Sequence, residues 1–124
     1  MHAVEIAERL NEKLIVDAYR DIDACPNGLQ VGPEDLEVER VAVAVDAAVE
    51  TIERAIDADA DMLVTHHGIV WDGIERLTGV HYNRIEPLVT ANIALYVAHL
   101  PLDGHHKLGN AAGIADLLNL EGRH

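Results

Sequence analysis

At 124 residues with 49% hydrophobic content, the chain is long enough to bury a core but small for a complete enzyme. Its 22 acidic residues against 9 basic ones give a formal charge of -13, which repels phosphate backbones and anionic membranes and argues against a nucleic-acid partner unless a metal mediates. Serine is absent, excluding serine hydrolase chemistry, and the single cysteine, Cys25, excludes an intramolecular disulfide or a thiolate metal cluster.

From Val4 to Tyr19 the apolar positions Val4, Ile6, Ala7, Leu10, Leu14 and Ile15 recur at helical spacing, which predicts an amphipathic helix. Asp21 to Gly28 is dense in turn residues and ends it. Within that stretch Cys25 precedes Pro26 and reads as a small packed residue rather than a nucleophile. Asn27-Gly28 is a tight-turn signal that leaves open whether a hairpin follows. Leu29-Gln30-Val31-Gly32 is then a short strand.

The run Val38 to Asp46, apolar throughout Val41 to Val45, predicts a strand covered on both faces. Asp46 falls where it ends, as a helix cap, a general base or a partner of the site. Ala47 to Ala58 predicts a helix with Val49, Ile52, Ala55 and Ile56 on one face, and Met62 to Thr65 a buried strand that delivers His66 and His67. Gly68 to Tyr82, with Trp71, Asp72 and Gly73, lacks periodicity and reads as a loop or short helix near those histidines; Asp72 is a second candidate base. Asn83 is the expected cap of a helix from Arg84 towards Asn92, with Pro87 in its first turn. Ile93 to Ala98 is the last strand, Leu100 to His106 a loop, and Gly109-Asn110 opens a final helix. Strands alternating with helices predict an α/β layer with right-handed crossovers.

Two short apolar runs thus end in metal-ligand residues: Leu63-Val64-Thr65-His66-His67-Gly68 and Val97-Ala98-His99-Leu100-Pro101-Leu102-Asp103. If the two strands are parallel neighbours, their carboxyl ends open on one sheet edge, where α/β sheets bind ligands. Neighbouring residues inside a strand face opposite ways, so His66 and His67 share a site only at the strand's end, or by each holding a different ion. His99 and Asp103 are separated by Pro101, so a curled loop is expected to join them. A separation above about 10 Å between the histidine pair and Asp103 would defeat the idea, since ligand atoms reach only ~2 Å to an ion. Imidazole and carboxylate without sulfur suit Zn, Fe, Mn, Co or Ni. The alternative is that these histidines are loop-end residues bonded to backbone carbonyls. His105-His106 reads as a solvated or rim pair, while His2, His81 and His124 carry no pattern. Gly68, Gly73 and Gly79 have neither the spacing nor the lysine of a phosphate loop.

Four stretches in order, Asn27-Gly28-Leu29-Gln30-Val31-Gly32, Val43-Ala44-Val45-Asp46, Leu63 to Gly68, and His99 to Asp103 with Gly109-Asn110, resemble the Nif-three-like family of dinuclear metal-centre proteins, the GTP cyclohydrolase I type 2 homologues. The resemblance spans essentially the whole chain. It implies an α-β-(βα)3 unit, α/β (α+β) in class, with a mostly parallel, mixed four-stranded sheet whose first strand runs against the others. His66, His67 and Asp103 then match metal ligands for divalent ions, and His99 a residue beside the ions; by carboxylate chemistry Asp103 would bridge two cations, and in a hydrolase His99 would move a proton. Family members are toroidal hexamers of the cytoplasm, about twice this length, in which a His-x-x-x-Glu pair of the second half completes the two-metal site. Nothing after Asp103 supplies that pair. Residues 1–124 are accordingly expected to be one domain, the first half of the duplicated fold, binding metal more weakly than a complete protein.

The expected function is that of a metal-binding protein with a dinuclear-type site, hydrolysing a small phosphorylated or nucleotide substrate. The alternative is a structural or regulatory homo-oligomer without catalysis. No apolar run approaches the ~18 to 20 residues of a membrane span, and the amino terminus lacks the basic start of a signal peptide, so a cytoplasmic location is expected. The acid excess fits adaptation to high salt, where screening makes self-repulsion tolerable; a basic partner would be the other explanation.

Overall fold

A computed structural model describes residues 1–122 of the protein; His124 lies outside them. In chain order the elements are α1 (Ala3–Leu14), a 3-10 turn (Val16–Tyr19), β1 (Gly28–Val31), β2 (Val41–Asp46), α2 (Val49–Asp57), β3 (Met62–His67), α3 (Gly79–Thr90), β4 (Ala94–Val97), a one-turn helix α4 (Leu100–Asp103) and α5 (Asn110–Leu117). The strands form one sheet in the order β1-β4-β3-β2. β2, β3 and β4 are parallel and β1 runs antiparallel to β4, so the sheet is mixed and four-stranded, as the family resemblance implies.

Alternation along the two central strands builds a core on each face. Leu63, Leu95 and Val97 point to one side, where they meet Ile52 and Ala55 of α2 and Leu88 of α3. Met62, Ala94 and Tyr96 point to the other, against Ala3, Ala7 and Leu14 of α1. Tyr96 is fully buried there; its hydroxyl donates to Asn11 Oδ1 at 3.0 Å, and burial pushes the phenol's pKa well up. Both strands therefore finish as rigid, fully packed rods, and the turns that leave them start from fixed points. Among the described residues no helix is long and apolar enough to cross a membrane.

Four local expectations are corrected. β2 is an edge strand covered on one face only: Ala42 and Ala44 pack on the α2 side, while Val43 and Val45 on the other are 79% and 62% exposed. α1 packs instead on Leu29 of β1, Met62 and Val64 of β3, and Ala94 and Tyr96 of β4. The first helix stops at Leu14, because Ile15 turns into the left-handed region (φ 56°) before the 3-10 turn begins. The helix expected from Arg84 starts at Gly79, which puts Pro87 in its interior. Pro87 cannot bond the carbonyl one turn back, yet the fully buried Leu88 beside it anchors the segment to the core and outweighs the lost bond. Finally, Pro101 does not prevent a helical turn. It sits in the first turn of α4, where no amide proton is needed, and Leu102 and Asp103 both donate to the His99 carbonyl at 3.0 and 3.2 Å.

Candidate metal centre

β3 and β4 stay paired only as far as Thr65 opposite Val97. Beyond that point the chains separate. Thr65 Oγ1 and the Ala47 amide both donate to the His67 carbonyl, at 3.1 and 3.0 Å, so the strand end is turned while still tied to β2. His66 and His67, which would diverge in a continuing strand, thus come to a ring separation of 4.5 Å, and His99 at the end of β4 lies 5.1 Å from His66 and 5.6 Å from His67. One ring nitrogen from each of the three falls within 4.8 Å of the others. Asp103 Oδ1 is 3.4 Å from His66 Nε2. All four residues singled out from the sequence are therefore neighbours, with His99 closer to the pair than a bystander would be.

The outer ring nitrogens explain how the imidazoles are aimed. His66 Nδ1 faces the Ala98 carbonyl at 2.9 Å, His67 Nδ1 faces Asp46 Oδ1 at 2.6 Å, and His99 Nδ1 faces Asp23 Oδ1 at 2.9 Å. Each partner accepts, so each Nδ1 carries a proton, and in the neutral ring Nε2 is left with a lone pair. This is the arrangement that fixes tautomer and orientation in metal-binding histidines. It also sets the Nε2 lone pair of His66 against an oxygen lone pair of Asp103, an opposition that a cation between them relieves. The donor set fits a divalent ion of the Zn, Fe, Mn, Co or Ni group. Side-chain exposure rises from 12% at His66 to 43% at both His67 and Asp103, so the cluster has a buried floor and one open side.

Asp46 is thereby accounted for: it caps no helix and holds His67 instead. Asp72 is exposed in the loop after Gly68, and its backbone N–H donates to the Ala24 carbonyl. Trp71 packs edge-on against His99, ring centres 4.9 Å apart, and walls that side of the cluster.

Asp23 has no signal in the sequence that sets it apart from the turn residues around it. Its side chain is only 2% exposed and accepts from the backbone N–H of Cys25 (3.0 Å) and Leu100 (3.0 Å), from Asn27 Nδ2 (2.8 Å) and from His99. Burial alone would push its carboxyl pKa up, but these four bonds outweigh it and hold the group down at about 2. Asn27 completes the clamp by accepting the His99 N–H at 2.6 Å. Gln30 does the same for the other strand end. Its Oε1 accepts from the amides of Ile69 and Val70 at 2.9 and 3.2 Å, and its Nε2 donates to the Pro26 carbonyl at 3.0 Å and the buried Cys25 Sγ at 3.4 Å. Asn27 to Gln30 therefore starts no hairpin; it pins both histidine-bearing turns to β1. A Cβ at Gly68 would strike the Gln30 amide, which its four bonds prevent from moving aside. Gly68→Ala is expected to cost roughly 2 kcal/mol by overpacking, measured as a lower urea midpoint.

The family profile described as Duf34/NIF3 (NGG1p interacting factor 3) matches residues 1–124. A Halobacterium salinarum relative named GTP cyclohydrolase 1 type 2 homolog is 53% identical over 123 residues, 99% of this chain and 48% of that protein. One of the same name from Pyrococcus abyssi is 45% identical over 121 residues, 98% of this chain and 47% of that one. Among solved structures, TTHA1606 from Thermus thermophilus superposes with a TM-score of 0.89 at 36% identity, covering 97% of this chain and 49% of that one. Reduced HcgD from Methanocaldococcus jannaschii gives 0.86 at 35%, covering 98% and 48%. The chain thus spans about half the length of the relatives it matches. Since the family profile matches residues 1–124 and the fold superposes on TTHA1606 over 97% of the chain, the chain belongs to the Duf34/NIF3 family.

Proposed function

We propose that this chain is a divalent-metal-binding protein whose His66, His67 and Asp103 form one half of a dinuclear site, serving hydrolysis of the cyclohydrolase or phosphoester kind. The observation that carries this reading is the set of three imidazoles, each with Nδ1 engaged by an oxygen acceptor and with one ring nitrogen apiece within 4.8 Å of the others. A bound divalent ion would supply Lewis acidity and a water made nucleophilic at neutral pH. The chain's own residues would do the rest. His66, held by Ala98, and His67, held by Asp46, would hold the ion together with Asp103, whose negative charge would offset that of the ion. His99 accepts and returns a proton at Nε2 while ionised Asp23 stabilises the imidazolium through Nδ1. Trp71 excludes water from one side of His99. His99 serves as a third imidazole ligand in a second reading, favoured by its place within the 4.8 Å group.

We also place this unit as the first half of a duplicated fold and within a homo-oligomer, a cytoplasmic hexamer in the first instance. The uncovered apolar stripe of Val41, Val43 and Val45 on edge strand β2 supports assembly, since such a face is otherwise a liability in water. The expected substrate is a small phosphorylated compound or nucleotide.

The test is turnover of GTP and of bis(p-nitrophenyl) phosphate by metal-loaded and chelator-stripped protein. Metal-dependent product formation that falls by at least about 100-fold in His99→Ala supports the hydrolase. Metal-dependent assembly without turnover of either compound would give the site a structural role instead.

A further inference from the structure

Outside the imidazole cluster, one cleft of the chain is lined by cations without carboxylates. A cleft of about 740 Å³ opens between the end of α1 with the following 3-10 turn and the loop that leaves α4. That volume lies within the roughly 300–1,000 Å³ of small-molecule sites. Lys13 and Lys107, the two lysines of the whole chain, both line it, together with His105 and His106. None of the 22 acidic residues lines it. Asp17, on the adjoining 3-10 turn, is engaged by Arg20 at 2.7 Å. In a chain of charge -13 the lining of this cleft carries two cations and no carboxylate, which favours an anionic ligand.

The other wall is apolar. Ile15 and Ile22 are 65% and 69% exposed along it, large side chains that water does not explain. Ile15 adopts left-handed backbone (φ 56°), which crowds a β-branched residue and turns it out from the helix it ends. His105 is ordered as well: its Nδ1 accepts from the backbone N–H groups of Lys107 and Leu108 at 3.2 and 3.1 Å, so the neutral ring carries its proton on Nε2 and remains a donor. Two ammonium groups, an oriented imidazole donor and an isoleucine wall are complementary to a ligand with a dianionic head and an apolar body.

We propose that this cleft binds an organic dianion of that class, an aryl phosphate ester being its simplest form. None of His66, His67 and His99 lines the cleft, so the proposal stands whether or not the imidazoles hold a metal.

Equilibrium dialysis of 1-naphthyl phosphate against the metal-free full chain at physiological salt tests it. Saturable binding to one site is expected, tighter than that of inorganic phosphate or of 1-naphthol, and weakened at least about tenfold in Lys13→Ala/Lys107→Ala. Both lysines are exposed, so the double variant should fold, which far-ultraviolet circular dichroism verifies. Arg54→Gln, which removes an exposed cation already paired with Glu50 on α2, should bind as the unaltered chain does. Undiminished binding by the folded double-lysine variant would overturn the proposal, as would the absence of saturable binding by the unaltered chain or equal binding of 1-naphthol.

Discussion

Changing His66 and His67 together to alanine is expected to weaken zinc binding by at least about 100-fold, or ~2.7 kcal/mol, while leaving the fold in place. The size follows from their arrangement. Each ring is held at Nδ1, one by the Ala98 carbonyl and one by Asp46, so each offers Nε2 without further loss of freedom, and removing both takes away two pre-aimed ligands at once. The fold should survive because neither belongs to the two buried clusters that hold the sheet to its helices. Deleting His66 releases one backbone carbonyl beside a residue only 12% exposed, a cost of about 1 kcal/mol, and deleting His67 less, because its side chain is 43% exposed. Calorimetric titration of the double variant checks both halves of the statement when paired with thermal unfolding. Full zinc affinity in the variant would remove these residues from the site.

The largest stability effect is expected at Asp23. Asp23→Asn keeps the shape but turns an acceptor of four hydrogen bonds into a group that must present an NH2 to some of the same donors. Breaking a buried charged network of this kind costs about 3 kcal/mol. The pH dependence has a definite sign. The folded carboxyl is held at about 2, below its ordinary 3.8, so its contribution is complete above 3.8 and is lost as pH falls towards 2. The stability gap between the native chain and Asp23→Asn should therefore be widest at neutral pH and close across that acid window. Urea unfolding of both proteins at several pH values measures it, and taking the difference cancels the titration of the other carboxylates. A gap that does not change with pH would mean that Asp23 acts by shape alone.

Legibility in the sequence divided along physical lines. The runs Met62 to Thr65 and Ile93 to Ala98 are readable because burial on both sides of a parallel sheet demands unbroken apolar character, and they became the central strands. The same rule misled at Val41 to Val45. An apolar run shows what a strand can bury, and only tertiary structure shows what arrives to cover it; here one face has no helix over it. Pro87 and Pro101 failed for a related reason. Local propensity disfavours proline inside a helix, yet the burial of Leu88 overrides that for α3, and α4 is a single turn with no interior to disrupt.

The juxtaposition of the candidate residues was legible where the pattern is compact. His66-His67 and His99 to Asp103 are dense patterns at strand ends, and β3 and β4 proved to be neighbours. Asp23 was not legible, because a buried carboxylate in a turn-rich stretch looks like any surface aspartate until its four donors are in view. Asn27 and Gln30 were visible only as part of a motif. Their task, clamping two distant turns, depends on contacts as far apart as Asn27 to His99, which no local spacing encodes.

The measurement that bears most directly on the site is titration of the metal-free chain with Co(II), followed by visible absorption. His66, His67 and Asp103 predict a saturable d–d spectrum from nitrogen and oxygen ligands, without thiolate charge-transfer bands, since the buried Cys25 is tied to Gln30 and lies outside the imidazole group. That spectrum should vanish in the His66→Ala/His67→Ala variant. A thiolate band, the lack of any saturable spectrum, or one that persists in the variant would contradict the assignment of these residues as the metal centre.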